Sequence, residues 1–162
     1  LRRDCSGRVN DPRAIRDLTF VRNGVRLACD VGSVRIGIAR SDPGGLMAVP
    51  LQAVPADERA VAAVVALVSE YEAIEVLVGL PLSMDGSEGR AAGLARDWSD
   101  ALSAGITVPV RMVDERLTTV QAQRSLHAAG RSVKSSRSVI DSASAVILLQ
   151  SDLDTERAKG SR

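Results

Sequence analysis

Beyond residue 24 the chain alternates short apolar runs with turn residues, and further on a helical period takes over. Val25–Asp30 and Arg35–Ser41 read as two strands, the first an unbroken apolar run that stops at a carboxylate. Asp42-Pro43-Gly44-Gly45 is a turn, and Leu46–Leu51 a third strand, so the three form an antiparallel meander. Asp57 and Glu58 then open a helix, with Val61, Val64, Val65, Val68 and Tyr71 among its apolar positions. Glu75–Leu80 is a short strand of the fully buried kind. Pro81 and the Ser83–Ser87 loop end it, and a second helix follows over Glu88–Ser103. Val108–Val113 is the next strand, which Pro109 marks as an edge or a strand start. Thr118 and Gln121 have capping-box spacing for a third helix that Gly130 closes. Arg131–Arg137 is a basic, serine-rich loop, and the last helix is predicted over Ser138–Leu153. Residues 1–24 read as a flexible basic leader and 154–162 as a polar tail, leaving 25–153 as a single domain. The element order β-β-β-α-β-α-β-α-α predicts an α/β protein with a mixed sheet covered by helices.

Composition narrows the chemistry. With only Phe20, Tyr71 and Trp98 as aromatics, the core must be Val, Leu, Ile and Ala, and an aromatic platform for stacking bases is excluded. A net charge of +1 does not announce a nucleic-acid partner. Locally, Arg111–Ile140 holds six basic residues against Asp114 and Glu115. Such a stretch is ordinarily a solvated surface, and alternatively a stripe that tracks a phosphate backbone. Cys5 and Cys29 make no disulfide framework, and Cys29 reads as a small buried hydrophobe. His127 is the only histidine, which leaves no histidine-based triad or zinc site. No apolar run is long enough to span a membrane and no signal peptide is visible, so a cytosolic protein is expected.

Three acidic positions stand out by location. Asp30 ends the first strand, Asp114-Glu115 ends the last, and Asp141 lies in the first turn of the final helix beside Val139, Ile140 and Val146. A carboxylate at the end of a buried strand is costly unless a cation pairs with it. Singly, each acid has an ordinary explanation: a helix dipole for Asp141, a surface ion pair for Asp114-Glu115-Arg116. Together, carboxylates from separate elements suit a hard cation such as Mg²⁺ or Mn²⁺. Two such ions can activate a water and stabilise the leaving oxygen in phosphodiester hydrolysis.

Four segments, in order, resemble the motifs of the YqgF/RuvX family: Asp30–Gly37, Val78–Ser87, Asp114–Thr119 and Ile140–Ala145. The family belongs to the RNase H-like superfold and is similar to Holliday junction resolvases. The resemblance covers residues 25–153 and implies a five-stranded mixed sheet with helices on both faces. It also implies a nuclease site on Asp30, Glu115 and Asp141, with Asp30 bridging two metal ions and the other two acids each holding one side. Asp114 is an alternative ligand. Neighbours in a strand face opposite ways, however, so Asp114 and Glu115 should not both reach one ion. Arg35 and Arg116 are candidate phosphate-binding residues, since a guanidinium matches phosphate oxygens bidentately, and Lys134 and Arg137 join them as part of a basic loop that tracks the backbone. For the arginines beside the acids, a simple carboxylate–arginine pair is the other reading. Junction resolvases carry an acid at the end of the fourth strand; here that place reads Gly79-Leu80-Pro81, where glycine leaves room for a backbone such as the substrate's to come close.

The resemblance implies a nuclease acting near the 5′ end of precursor 16S rRNA. Three other readings compete. One is a resolvase of branched DNA, which would act as a homodimer. Another is an actin-like nucleotide-binding module, because Asp30-Val31-Gly32-Ser33 fits its phosphate turn, although that fold needs two such domains. The last is an RNA-binding assembly factor without catalysis.

Overall fold

The computed structural model describes residues 22–117 and 140–160. Five strands, β1 (Arg26–Val31), β2 (Arg35–Ser41), β3 (Ala48–Pro55), β4 (Glu75–Leu80) and β5 (Val110–Asp114), form one sheet in the order β3-β2-β1-β4-β5. β1–β2 and β2–β3 are antiparallel; β1–β4 and β4–β5 are parallel. The predicted meander plus two parallel strands is therefore the observed RNase H-like arrangement. β1 lies at the centre, which is why Leu27, Ala28 and Cys29 are all buried, odd and even positions alike. Burial also pushes the Cys29 thiol up to about 12, in keeping with a packing role.

Helices α1 (Ala60–Glu70) and α2 (Arg90–Gly105) pack on the face bearing Leu27, Cys29, Ile38, Val76 and Val78. Helix α3 (Ala143–Gly160) covers the other face, setting Ala145, Leu148, Leu149 and Leu153 on Ala28, Ala39 and Leu77. β5 is an edge strand that starts just after Pro109, as its sequence suggests.

β1, α2 and β5 lie one or two residues from the bounds read in the sequence, and three further differences have a traceable cause. β3 begins at Ala48, not Leu46, because the Asp42 carboxylate accepts bonds from the Gly44, Leu46 and Met47 amides and prolongs the turn. It then runs on through Pro50 and Pro55, which an edge strand tolerates. α1 begins at Ala60, since Asp57 folds back onto the Arg59 amide and guanidinium instead of standing in the first turn. α3 continues to Gly160. Its polar end is helical because Glu156 reaches back to Arg22 and the fully buried Arg26 at 2.8–2.9 Å. Arg22, placed in the leader by its composition, thus holds the sheet to α3, also pairing with the buried Glu75 at 2.7 Å. Residues 1–21 of the leader, the capped helix after Thr118, His127, and Lys134 and Arg137 of the basic loop lie outside the described residues. Among the described residues no helix is long and apolar enough to cross a membrane.

Candidate active site

β1, β4 and β5 run parallel, so their C-terminal ends open on one edge of the sheet, where β2 and α3 also begin. The topology alone gathers Asp30, Gly79, Asp114-Glu115, Arg35 and Asp141 there. Along β1, Ala28 faces α3, and so does Asp30 two residues on, opposite Gly37 of β2.

Glu115 follows β5 in a single turn of 3₁₀ helix, Glu115–Leu117, and its carboxyl reaches Asp30. Burial first, then the hydrogen bond to Asp30 and the charges of Asp30 and Asp114, push Glu115 up to about 7. Gly79 makes this contact sterically possible. A Cβ there would come closer than 3.0 Å to Glu115 Oε1 and within 3.2 Å of its Cγ and Cδ. The space at the end of β4, read from the sequence as room for a passing backbone, is filled by the Glu115 side chain.

Asp114 turns the other way, as the pleat requires. It accepts from the Arg116 amide at 2.9 Å and from Arg116 Nε and Nη2 at 2.7–3.1 Å, which holds its carboxyl below the usual carboxylate range. Arg116 also donates to the carbonyls of Ser83 and Met84. The guanidinium predicted to meet phosphate is thus already held by a carboxylate and a loop.

Asp141 lies across a concavity of about 460 Å³ that it shares with Asp30, Ser33 and Arg35. Its carboxylate pairs with Arg35 Nη1 at 3.0 Å. The structure thus joins Asp30 to Glu115 and places Asp141 nearby, and among the described residues no three acids converge on one point. The Arg35–Asp141 pair is solvent-accessible on both sides and contributes at most about 1 kcal/mol, so either side chain can be redirected at small cost.

Two residues fix the backbone under Asp141, and the sequence reading passed over both. The Ser142 hydroxyl accepts from the Ile38 amide at 3.1 Å and donates to the Leu51 carbonyl at 2.7 Å. Gly37 has the Asp141 carbonyl directly over its α-carbon, closer than 3.0 Å to where a Cβ would stand. The signal was present: a serine just ahead of the apolar stretch of a helix, and a glycine inside a strand.

This arrangement, with acids at the ends of parallel strands and a helix crossing behind the first of them, has known counterparts. The sequence matches the family described as "RuvX: Holliday junction resolvase" over residues 24–155. A protein of Kineococcus radiotolerans named "Putative pre-16S rRNA nuclease" is 51% identical over 141 residues, 85% of this chain and 75% of that one. One of the same name from Streptomyces coelicolor is 51% identical over 143 residues, 86% of each chain. Among solved structures, Thermus thermophilus RuvC in complex with a Holliday junction superposes with a TM-score of 0.60 at 15% identity, over 83% of this chain and 96% of that chain. The fowlpox virus Holliday junction resolvase gives 0.50 at 13% identity, over 81% and 99%. These two likenesses are of fold. The sequence match spans all four motifs and both sides of the concavity, and on it the chain belongs to the RuvX family.

Proposed function

We propose that this chain is a divalent-metal-dependent nuclease that hydrolyses phosphodiester bonds at the end of the sheet bearing Asp30, Glu115 and Asp141. By kinship with the relatives named above, its substrate is the 5′ precursor segment of 16S rRNA, which makes its setting cytoplasmic. The observation that carries the reading is the Asp30–Glu115 contact. Two carboxyl groups, one near the end of β1 and one just after β5, meet across the space that Gly79 leaves open, and burial together with Asp30 beside it raises Glu115 to about 7.

The donor set fits a hard cation: oxygen ligands, a proton that an ion would replace, and a third carboxylate held only by an exposed ion pair. Asp30 and Glu115 would hold the ion, with Asp141 joining once it leaves Arg35; a second ion would share Asp30. A bound divalent ion supplies activation of the attacking water and offsets charge on the phosphate and the leaving oxygen. The chain's own residues do the rest. Gly79 and Gly37 let Glu115 and Asp141 come close, and Ser142 fixes the backbone behind Asp141. Arg35, released from Asp141, is free to hold a phosphate oxygen. Lys134 and Arg137 would extend that contact along the backbone.

The test compares wild type with Asp30→Asn on labelled pre-16S rRNA and on a four-way DNA junction, with and without Mn²⁺. Metal-dependent cleavage of the RNA that disappears in the variant is expected. Equal residual cleavage by both proteins assigns the activity to a contaminant and overturns the reading. Cleavage of the junction alone, by a protein that sediments as a dimer, transfers the same chemistry to branched DNA.

A further inference from the structure

β5 is an edge strand, and its ladder ends at Asp114, which pairs with Leu80 of β4. From Glu115 on, no strand register holds the chain. The turn Glu115–Leu117 has no buried residue to pin it, and Leu117 is 69% exposed. Yet this turn sends the Glu115 carboxyl back past Gly79 to Asp30. The residues on either side of Glu115 are joined across it. Asp114 Oδ1 accepts from the Arg116 amide at 2.9 Å and from Arg116 Nε at 3.0 Å, and Asp114 Oδ2 accepts from Nη2 at 2.7 Å. The remaining guanidinium nitrogen, Nη1, donates to the carbonyls of Ser83 and Met84 at 3.4 and 3.5 Å. That loop is itself tied down: Leu82 and Glu88 bridge across it, and the Ser83 amide donates to the Ser87 carbonyl at 2.9 Å.

We infer that Asp114 and Arg116 are positioning residues: clasped across Glu115, they set the backbone from which its carboxyl reaches Asp30, and they touch neither metal nor phosphate. The inference rests on the nuclease reading above and deepens it, by giving the two charged neighbours of Glu115 a role in its placement. Three features of the clasp support it. It closes a ring through Asp114, Glu115 and Arg116, so the backbone dihedrals of Glu115 are no longer free to wander. It engages both oxygens of Asp114 and all three guanidinium nitrogens of Arg116, which leaves little capacity for an ion or a phosphate. It also fastens the ring to the loop that follows β4, a fully buried strand that carries Gly79. The Glu115 carboxyl and the gap it passes through therefore share one rigid base. The ion pair itself is partly exposed and adds little to global stability. What it contributes is placement.

The experiment uses the full chain carrying Asp114→Asn, Asp114→Ala, Arg116→Ala or both alanines, each checked by thermal melting. Cleavage of labelled pre-16S rRNA at saturating Mn²⁺ gives kcat and KM, and fluorescence anisotropy in EDTA gives the affinity for uncut RNA. Asp114→Ala and Arg116→Ala should each lower kcat by about ten- to hundredfold with KM unchanged, as when a reacting group drifts by up to about 1 Å. The double variant should lose no more than either single one, because each alone opens the clasp. Asp114→Asn keeps an oxygen for the Arg116 amide and should recover most of the rate. Affinity in EDTA should be the same for all. In metal-free protein the Arg116 amide, followed by NMR, should exchange about tenfold faster in Asp114→Ala than in wild type or Asp114→Asn, as loss of one hydrogen bond predicts. Asp114→Asn as inactive as Asp114→Ala would make Asp114 a ligand and overturn the inference. Weaker RNA binding by Arg116→Ala, a double variant in which the two losses multiply, or an unchanged kcat in Asp114→Ala would overturn it too. Arg116→Ala carries the test from the other side if Asp114→Ala does not fold. Failure of the nuclease reading would show separately, as cleavage by Asp30→Asn equal to wild type, with amide exchange still reporting on the clasp.

Discussion

Replacing Gly79 by alanine tests the site more sharply than removing a carboxylate, because every acid stays in place and only a methyl group is added. That methyl would stand closer than 3.0 Å to Glu115 Oε1 and 3.2 Å from Cγ and Cδ. Non-bonded heavy atoms settle at about 3.5 Å, so the carboxyl has to move by roughly 0.5–1 Å. The fold can absorb this. The obstructed atoms end a flexible side chain, and Gly79 is absent from the glycines with positive φ, so alanine fits the main chain. Alanine also restricts the unfolded chain, an effect of about 0.4–1 kcal/mol in favour of folding. Net stability should change by less than about 1 kcal/mol, or roughly 2–4 °C in Tm. Catalysis cannot absorb it: a misplacement of about 1 Å at a reacting group costs on the order of 10²-fold. Cleavage of labelled pre-16S rRNA in Mn²⁺ should therefore fall about 10²-fold in a protein that melts like wild type. Gly93→Ala on the exposed side of α2, where a Cβ meets nothing within 4 Å, is the control and should keep full activity. A folded Gly79→Ala protein with the wild-type rate would refute the claim that Glu115 must reach past β4 to Asp30.

Gly37→Ala should behave differently, because the obstructing atoms are the Asp141 carbonyl and the Ser142 α-carbon, which cannot swing aside. Activity and stability should fall together, the latter by about 1–3 kcal/mol, as read by urea denaturation. For pH, Glu115 is raised from its ordinary 4.5 to about 7, so the folded state holds the proton more tightly than the unfolded. In EDTA its contribution is complete below pH 4.5 and is lost as pH rises through about 7. Tm should decline across that window, Glu115→Gln should flatten the decline, and a divalent ion should release a proton on binding below pH 7, seen by calorimetry in two buffers. Glu75→Gln should destabilise by about 3 kcal/mol, since the buried Glu75 carboxylate faces Arg22 at 2.7 Å, Arg111 at 3.5 Å and the buried Arg26 at 4.0 Å; a change under 1 kcal/mol in thermal melts would contradict that.

Much of this was legible in the chain. Strands β2 and β4 are read to the residue, because Gly and Pro punctuate them and a buried run of β-branched residues has one interpretation. Strand alternation said only that Asp114 and Glu115 should not both reach one ion, the choice of Glu115 coming from the family resemblance, and the structure turns the two carboxyls apart. What sequence could not supply was pairing across elements. Nothing local says that the space at Gly79 belongs to a side chain 36 positions later, or that the Arg111–Glu75 separation of the same 36 positions is a contact. The polar end of α3 was read as a tail for the same reason: Glu156 is helical through Arg22 and Arg26, more than 100 residues away.

The two ends of the sheet show why the acids at one of them mark a site. At the start of the parallel strands, Glu75, Asp152 and Glu156 each lie within 2.7–2.9 Å of an arginine, from Arg22, Arg26 or Arg111. There the chain meets each carboxylate with a guanidinium, which lets Glu75 and Arg26 be buried without a large penalty. At the other end the same sheet presses two carboxyls together and keeps glycine at position 79 so that they can meet. The nearby arginines, Arg35 and Arg116, are given to Asp141 and Asp114 instead. A sequence able to neutralise one end so thoroughly has withheld that neutralisation at the other. Local rules are broken in natural proteins chiefly where function requires it. The missing charge at Asp30 and Glu115 is the one a divalent cation would bring.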